Sequence, residues 1–382
     1  MKLIFGSGTS AVLLNRVPGK VFHCRRGVRQ GDPLSPLLFV LAADFLQAIL
    51  NNARRNKHLS LPLPLPHDED FSILQYADDT LIFMKGDVTE LNHLEELLHT
   101  FAESTGLKVK FDKSMIVSIN IAEDRFDELT TTFGCTKGSL PFTYLGLPLS
   151  LIKPTAADFW PLVFKYERRL VAFSSYLSEA RRLELTNAVL TALPTFSMSS
   201  FLLPKTVIKQ IDKYRKHCLW RGSDISSKKP SKAAWPLVCL PKPEGGLGVL
   251  NLTVQNESLL LKHLHKFYNR APIPWVQLIW TKYYSRDKLP VAGATFRGSF
   301  WWRDILKLID QFKGIAMVSV RDGKSCFLWH DLWDGTICSQ AFPELFSFAK
   351  NQYISVSLAA TDTPFHDQFH LPLPPEAYAQ YL

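Results

Sequence analysis

Two adjacent carboxylates, Asp78 and Asp79, interrupt an otherwise apolar, β-prone run from Ser72 to Phe83. Aspartate forms turns and is a poor strand residue, so the pair predicts a hairpin tip, with Ile73 to Ala77 as one strand and Thr80 to Phe83 as the other. Neighbouring carboxylates resist ionising together unless a cation neutralises them, and hard oxygen ligands suit magnesium or manganese. The chemistry such a pair points to is two-metal phosphoryl transfer. The competing reading is a solvated Asp-Asp turn without function, and the dipeptide alone does not separate the two.

The surrounding chain supplies the elements that must hold such a tip. Residues 1–23 predict a short hairpin, with Asn15 to Gly19 as its turn. The basic stretch Arg25 to Pro36 leads into a helix capped by Ser35 and Pro36, whose apolar residues recur at three- and four-residue spacing to about Arg55. Leu61 to Pro66 alternates Leu with Pro, lacks backbone donors at every second position and serves as a connector. After the acidic pair, Thr89 to Thr105 predicts an amphipathic helix stopped by Gly106. Leu107 to Phe111 alternates as a strand, Asp112-Lys113 turns, and Met115 to Ile119 returns. Phe142 to Leu149 predicts a tight turn at Gly146 among apolar anchors.

Taken in order, these segments resemble the motifs of plant non-LTR retrotransposon reverse transcriptases. Tyr76-Ala77-Asp78-Asp79 resembles that family's catalytic signature, and the likeness runs from about Asn15 to about Leu261, more loosely to Trp333. The resemblance implies an α+β fold: a truncated right-hand polymerase palm, a helical thumb and a small α+β C-terminal region. It implies RNA-templated DNA synthesis, with RNA template, DNA primer and deoxynucleotide as partners and Mg2+ or Mn2+ on Asp78 and Asp79. Arg29, Gln30, Gly31, Tyr76 and Lys113 would meet the nucleotide or template, and Tyr144, Leu145 and Gly146 would support the primer end. The Gln30-Gly31 loop and the Tyr144 to Leu149 loop would then lie near the hairpin tip. Two departures matter: Lys110 stands where the family commonly has asparagine, and nothing before Arg25 matches the fingers or the first catalytic aspartate. Asp44, in mid-helix after the basic loop, is no replacement. The chain alone is therefore expected to be inactive, the alternative being a catalytically dead nucleic-acid-binding protein derived from such an element.

Charge separates the regions. Residues 151–250 hold 16 Lys+Arg against 7 Asp+Glu, whereas residues 1–150 hold 15 against 17 and residues 251–382 hold 13 against 11. A basic middle of this kind suits a polyanion partner, or else a well-solvated helical surface. Helical spacing covers Phe159 to Leu177, Glu179 to Leu193, Pro204 to Trp220 and Leu259 to Tyr268. Lys205, Lys209, Lys213 and Lys216 share one face as a track for a phosphate backbone, which Lys228 and Lys229 extend. This part resembles the family's thumb, including Trp235 and Gly245 to Gly248.

The division expected is 1–152, 153–270 and 271–382. In the last region the tryptophans either stack on unpaired bases or fill a core, the latter being favoured, and Asp322-Gly323 predicts a hairpin from Val318 to Leu328. The family's Cys/His-rich C-terminal segment is not found. The six cysteines show no zinc spacing, and Pro33 to Leu50 falls short of a bilayer span. An intracellular protein is expected, with Lys228 to Lys232 as a short nuclear-import-like cluster.

Overall fold

The computed structural model describes residues 8–24, 31–62, 70, 73–173, 177–222, 230–284, 298–324, 326–333, 335–361 and 364–382. These form two compact units, Met1–Leu140 and Pro141–Leu382. Helix and strand mix throughout, and among the described residues every sheet has two strands.

The first unit opens on nested antiparallel pairs, β1 (Thr9–Ser10) with β4 (Phe22–His23) and β2 (Leu13–Leu14) with β3 (Val17–Pro18), so the expected hairpin forms with a tighter turn at Asn15-Arg16. Helix α1 (Leu34–Arg55) starts one residue before the expected cap, because the Asp32 carboxylate, not Ser35, accepts the Leu34 N–H at 2.8 Å. At 22 residues, α1 is long and apolar enough by length and composition to cross a membrane, a correction to the shorter window read from sequence. One face of it nevertheless packs as a core helix: Leu46, Leu50 and Ala53 meet Leu91, Leu94, Leu98 and Phe101 of α2 (Val88–Thr105). Each buried large apolar side chain contributes about 1.5–3 kcal/mol.

Local chemistry explains both ends of α2. The Asp87 carboxylate accepts the N–H groups of Thr89 and Glu90 at 2.9 and 3.0 Å, which holds its pKa below the usual value, with the Glu90 bond as the largest cause. Gly106, at φ +77°, closes the helix as expected.

The strand hairpin expected between Leu107 and Ile119 is not formed. Phe111–Lys113 is a 3-10 turn, and β7 (Met115–Val117) instead pairs in parallel with β8 (Thr136–Gly138) across α3 (Glu123–Phe133). Parallel pairing needs a crossover of a dozen or more residues, here supplied by the helix, and alternation within residues 107–119 carries no trace of so distant a partner.

The second unit begins with the hairpin β9 (Phe142–Tyr144) and β10 (Leu147–Leu149). Helices α4 (Trp160–Phe173), α5 (Glu179–Leu185), α6 (Thr195–Ser200), α7 (Lys205–Arg221) and α8 (Leu252–Tyr268) follow; α7 and α8 end within a residue of the expected points, α5 stops eight residues early, and α6 has no counterpart among the expected helices. Their core joins Val163, Tyr166 and Leu170 of α4 to Val207, Ile208 and Ile211 of α7. A π-helical turn, Thr186–Leu190, replaces the expected continuation of α5. There the buried Arg215 guanidinium donates to Thr191 Oγ1 at 2.8 Å, to the Leu250 carbonyl at 2.9 Å and to Asp212 at 2.7 Å.

Helices α9 (Pro274–Tyr283), α10 (Phe300–Leu306) and α11 (Ile309–Ile315) pack on α8. Trp302 is fully buried there, with Trp275, Trp280 and Trp301 half-buried around it, so these tryptophans fill a core. Among the described residues the hairpin expected from Val318 to Leu328 does not form: β11 (Met317–Val318) pairs in parallel with β12 (Leu332–Trp333). Gly323, at φ +66°, instead tucks against the Ser357 backbone, where an added Cβ would lie 2.8 Å from the Ser357 nitrogen.

Candidate functional site

Strands β5 (Ile73–Tyr76) and β6 (Asp79–Ile82) form the acidic hairpin, with Ile73 opposite Ile82 and Tyr76 opposite Asp79. The tip therefore sits one residue earlier than the sequence suggests. Ala77, at φ +51°, and Asp78 make the two-residue turn, and Asp79 opens the returning strand. The physical reason lies at the other end of the ladder. Ile73 and Ile82 both pack against the α1–α2 core, and a one-residue slip would turn one of them outward.

This register assigns the faces. Side chains directly opposite each other share a side of the sheet, so Ile73, Gln75, Thr80 and Ile82 form the inner face, while Leu74, Tyr76, Asp79 and Leu81 form the outer one. Tyr76 is 63% exposed and Asp79 is exposed beside it. Asp78 is exposed in the turn. One carboxylate is thus fixed by a ladder and its neighbour is carried by a loop.

As hard oxygen donors the two suit a divalent ion of the magnesium kind, although two carboxylates fill only part of a six-oxygen shell. Among the described residues no group of three or more His, Cys, Asp or Glu side chains gathers to hold a metal.

Of the other sequence candidates in this unit, Arg29 and Gln30 lie outside the described residues. Gly31 is described, at φ +87° with nothing within 4 Å of where a Cβ would stand, so its backbone is open to close approach. It leads into α1, whose Leu46 and Leu50 share a buried cluster with Ile73 and Ile82, so one core joins that helix to the hairpin. Lys113 is exposed at the end of the 3-10 turn, and Lys110 caps that turn, its carbonyl accepting the Ser114 hydroxyl at 2.9 Å.

Tyr144, Leu145 and Gly146 belong to the second compact unit. Leu145 at φ +50° and Gly146 at φ +79° form the two-residue turn between β9 and β10, the sign pattern of a I′ hairpin turn. Lys205, Lys209 and Lys213 are exposed along α7 at four-residue spacing. Lys216 is half-buried, its ammonium 5.5 Å from the Trp235 ring centre. Lys228 and Lys229 lie outside the described residues. Lys232 is drawn into an ion pair with Glu179 at 2.6 Å, which removes it from the open track. Sequence reasoning missed Arg215 as a structural residue: it falls seven and four residues along from the buried Ile208 and Ile211, on their face and not on the lysine face, and its side chain is fully buried.

Residues 5–149 match the family described as reverse transcriptase (RNA-dependent DNA polymerase). An Arabidopsis thaliana protein named "Putative ribonuclease H protein" is 34% identical over 161 residues, 41% of this chain and 26% of the relative. An Arabidopsis thaliana "Uncharacterized mitochondrial protein" is 26% identical over 143 residues, 37% of this chain and 92% of the relative. The "Transposon TX1 uncharacterized 149 kDa protein" of Xenopus laevis is 24% identical over 288 residues, covering 73% of this chain. The chain spans 26% and 21% of the length of the first and third of these relatives. Over residues 5–149 the chain is thus similar to the reverse transcriptase (RNA-dependent DNA polymerase) family, and one of its relatives is named as a transposon protein.

Proposed function

We propose that the chain takes part in RNA-templated DNA synthesis by a plant non-LTR retrotransposon, with residues 1–152 as palm, 153–270 as thumb and 271–382 as an aromatic-rich C-terminal region. The observation that carries this reading is the acidic hairpin, where Asp79 is set by strand register beside the exposed turn carboxylate of Asp78. Asp78 and Asp79 would hold a divalent ion, magnesium or manganese, which would supply Lewis-acid activation of the primer hydroxyl and charge neutralisation at the α-phosphate. Asp79 offers a fixed donor, and Asp78 adjusts to it. Tyr76, on the same exposed face as Asp79, flanks the incoming deoxynucleotide. Gly31 lets backbone approach that nucleotide, Lys113 meets phosphate charge, and the Leu145-Gly146 turn braces the primer end.

The exposed lysines of α7 follow the nucleic-acid backbone and hold template and primer without reading sequence. Such work belongs inside the cell, and in the nucleus where the element's DNA target lies.

Catalysis by this chain alone is a separate matter. Residues 1–24 contain no aspartate or glutamate, and two-metal transfer needs a carboxylate that bridges both ions. Members of a catalytic unit act non-additively, so the 382-residue chain is proposed to bind primer and template without extending them. Primer extension on an RNA template tests this. No incorporation above that of an Asp78→Ala/Asp79→Ala control is expected, and template-dependent synthesis abolished by Asp78→Ala would overturn it.

A further inference from the structure

Helix α4 has two faces of different use. Leu162, Val163, Tyr166 and Leu170 are buried in the helical core, and the Tyr166 hydroxyl donates to the Leu190 carbonyl at 2.9 Å, which fixes the rotation of the helix about its axis. Four-residue spacing then carries Trp160, Phe164 and Arg168 along the outer face. Trp160 is 41% exposed and Phe164 54%, with ring centres 6.3 Å apart and planes 31° apart. Of the nine tryptophans, all within the described residues, Trp160 alone is exposed.

Two aromatic rings left open to water within one helical turn forgo the free energy that burial would give, which marks a surface that a partner covers. Charge narrows the partner. Lys165, Arg168 and Arg169 are exposed on the same helix against a single acid, Glu167, while the nearby Asp158 carboxylate accepts the Thr155 N–H and hydroxyl at 2.6 and 2.9 Å. Among the described residues neither Lys165 nor Arg168 has an ion-pair partner. An apolar protein surface would use the rings and leave the cations unanswered. A duplex would answer the cations, but its bases are stacked inside and must be pulled out to reach a ring. Single-stranded nucleic acid answers both, with a row of phosphates and a π face on every unpaired base.

We propose that the outer face of α4 binds single-stranded nucleic acid, with unpaired bases stacked on Trp160 and Phe164 and the phosphates between them against Lys165 and Arg168. The proposal rests on the nucleic-acid reading above and deepens it. It names unpaired strand as the substrate class of α4 and sets this helix apart from the lysine row of α7, which meets phosphate alone.

Fluorescence anisotropy of the 382-residue chain with three labelled DNAs of equal length tests this: oligothymidylate, a duplex, and an abasic strand that keeps the phosphates without the bases. Trp160→Ala/Phe164→Ala alters exposed side chains, so thermal unfolding should match the parent. The variant should bind oligothymidylate about tenfold or more weakly and leave the duplex and the abasic strand unchanged. Arg168→Gln should weaken oligothymidylate and the abasic strand alike and lower the salt slope of log K by about 0.7. In a second measurement, oligothymidylate should quench part of the parent's tryptophan fluorescence. Trp160→Phe should abolish that quenching while keeping a ring and most of the affinity.

Lys209→Glu/Lys213→Glu/Lys216→Glu should weaken all three DNAs. If it does not, while the ring variant still loses oligothymidylate selectively, the α7 reading fails and the α4 proposal stands. Unchanged oligothymidylate binding in Trp160→Ala/Phe164→Ala, the result expected of a face covered by protein, would overturn the proposal. So would an equal loss for the abasic strand.

Discussion

Asp79 stands directly across the two-stranded ladder from Tyr76, so the tyrosine ring and one of the two catalytic-type carboxylates share an exposed face. Asp78, by contrast, belongs to the turn. The two aspartates differ in how firmly the fold holds them, and replacing each alone should separate positioning from charge.

The turn itself can be tested through Ala77. A non-glycine residue at φ +51° costs about 1–2 kcal/mol, whereas glycine loses roughly 0.5–1 kcal/mol in conformational entropy. Ala77→Gly should therefore raise stability slightly, by about 0.5 kcal/mol, and Ala77→Val should lower it, because a β-branched residue is poorly tolerated there. Thermal unfolding of the three chains should give the order Gly, Ala, Val. The reverse order would place the turn elsewhere.

The lysines of α7 make a prediction about salt. If about six phosphates are neutralised, affinity for single- or double-stranded nucleic acid should fall roughly 10³-fold between about 50 and about 200 mM salt. Lys209→Glu/Lys213→Glu/Lys216→Glu should weaken binding further and flatten that dependence. Salt-insensitive binding, or an unaffected triple variant, would remove α7 from the nucleic-acid surface.

Arg215 lies on the same helix and has a different role. Its guanidinium is fully buried between Asp212, Thr191 and the Leu250 carbonyl, so removing it leaves those groups short of a donor. Arg215→Met should cost about 3 kcal/mol in urea unfolding. A loss below about 0.5 kcal/mol would mean that the network does not stabilise the helical region.

Much of this fold is legible from local signals. Gly106 marks the end of α2, the apolar spacing gives α1, α4 and α7 to within a few residues, and alternation finds the acidic hairpin. What escapes is set by distant partners. Thr136–Gly138 claims Met115–Val117 from beyond a helix, and the Ser357 backbone, not a hairpin, explains Gly323. The tip of the acidic hairpin moved by one residue because burial of Ile73 and Ile82, which a dipeptide cannot reveal, fixes the register. Likewise Arg215 reads as one more cation in a basic helix until its buried partners are seen.

Whether Asp78 and Asp79 hold a divalent ion is measured most directly with Mn2+ as a paramagnetic probe of the isotope-labelled chain. Broadening should centre on residues 73–83, strengthen with an added deoxynucleoside triphosphate, and vanish in Asp78→Asn/Asp79→Asn. Broadening centred elsewhere, or unchanged in that double variant, would contradict the assignment of this hairpin as the metal-bearing element of a nucleotidyl-transfer site.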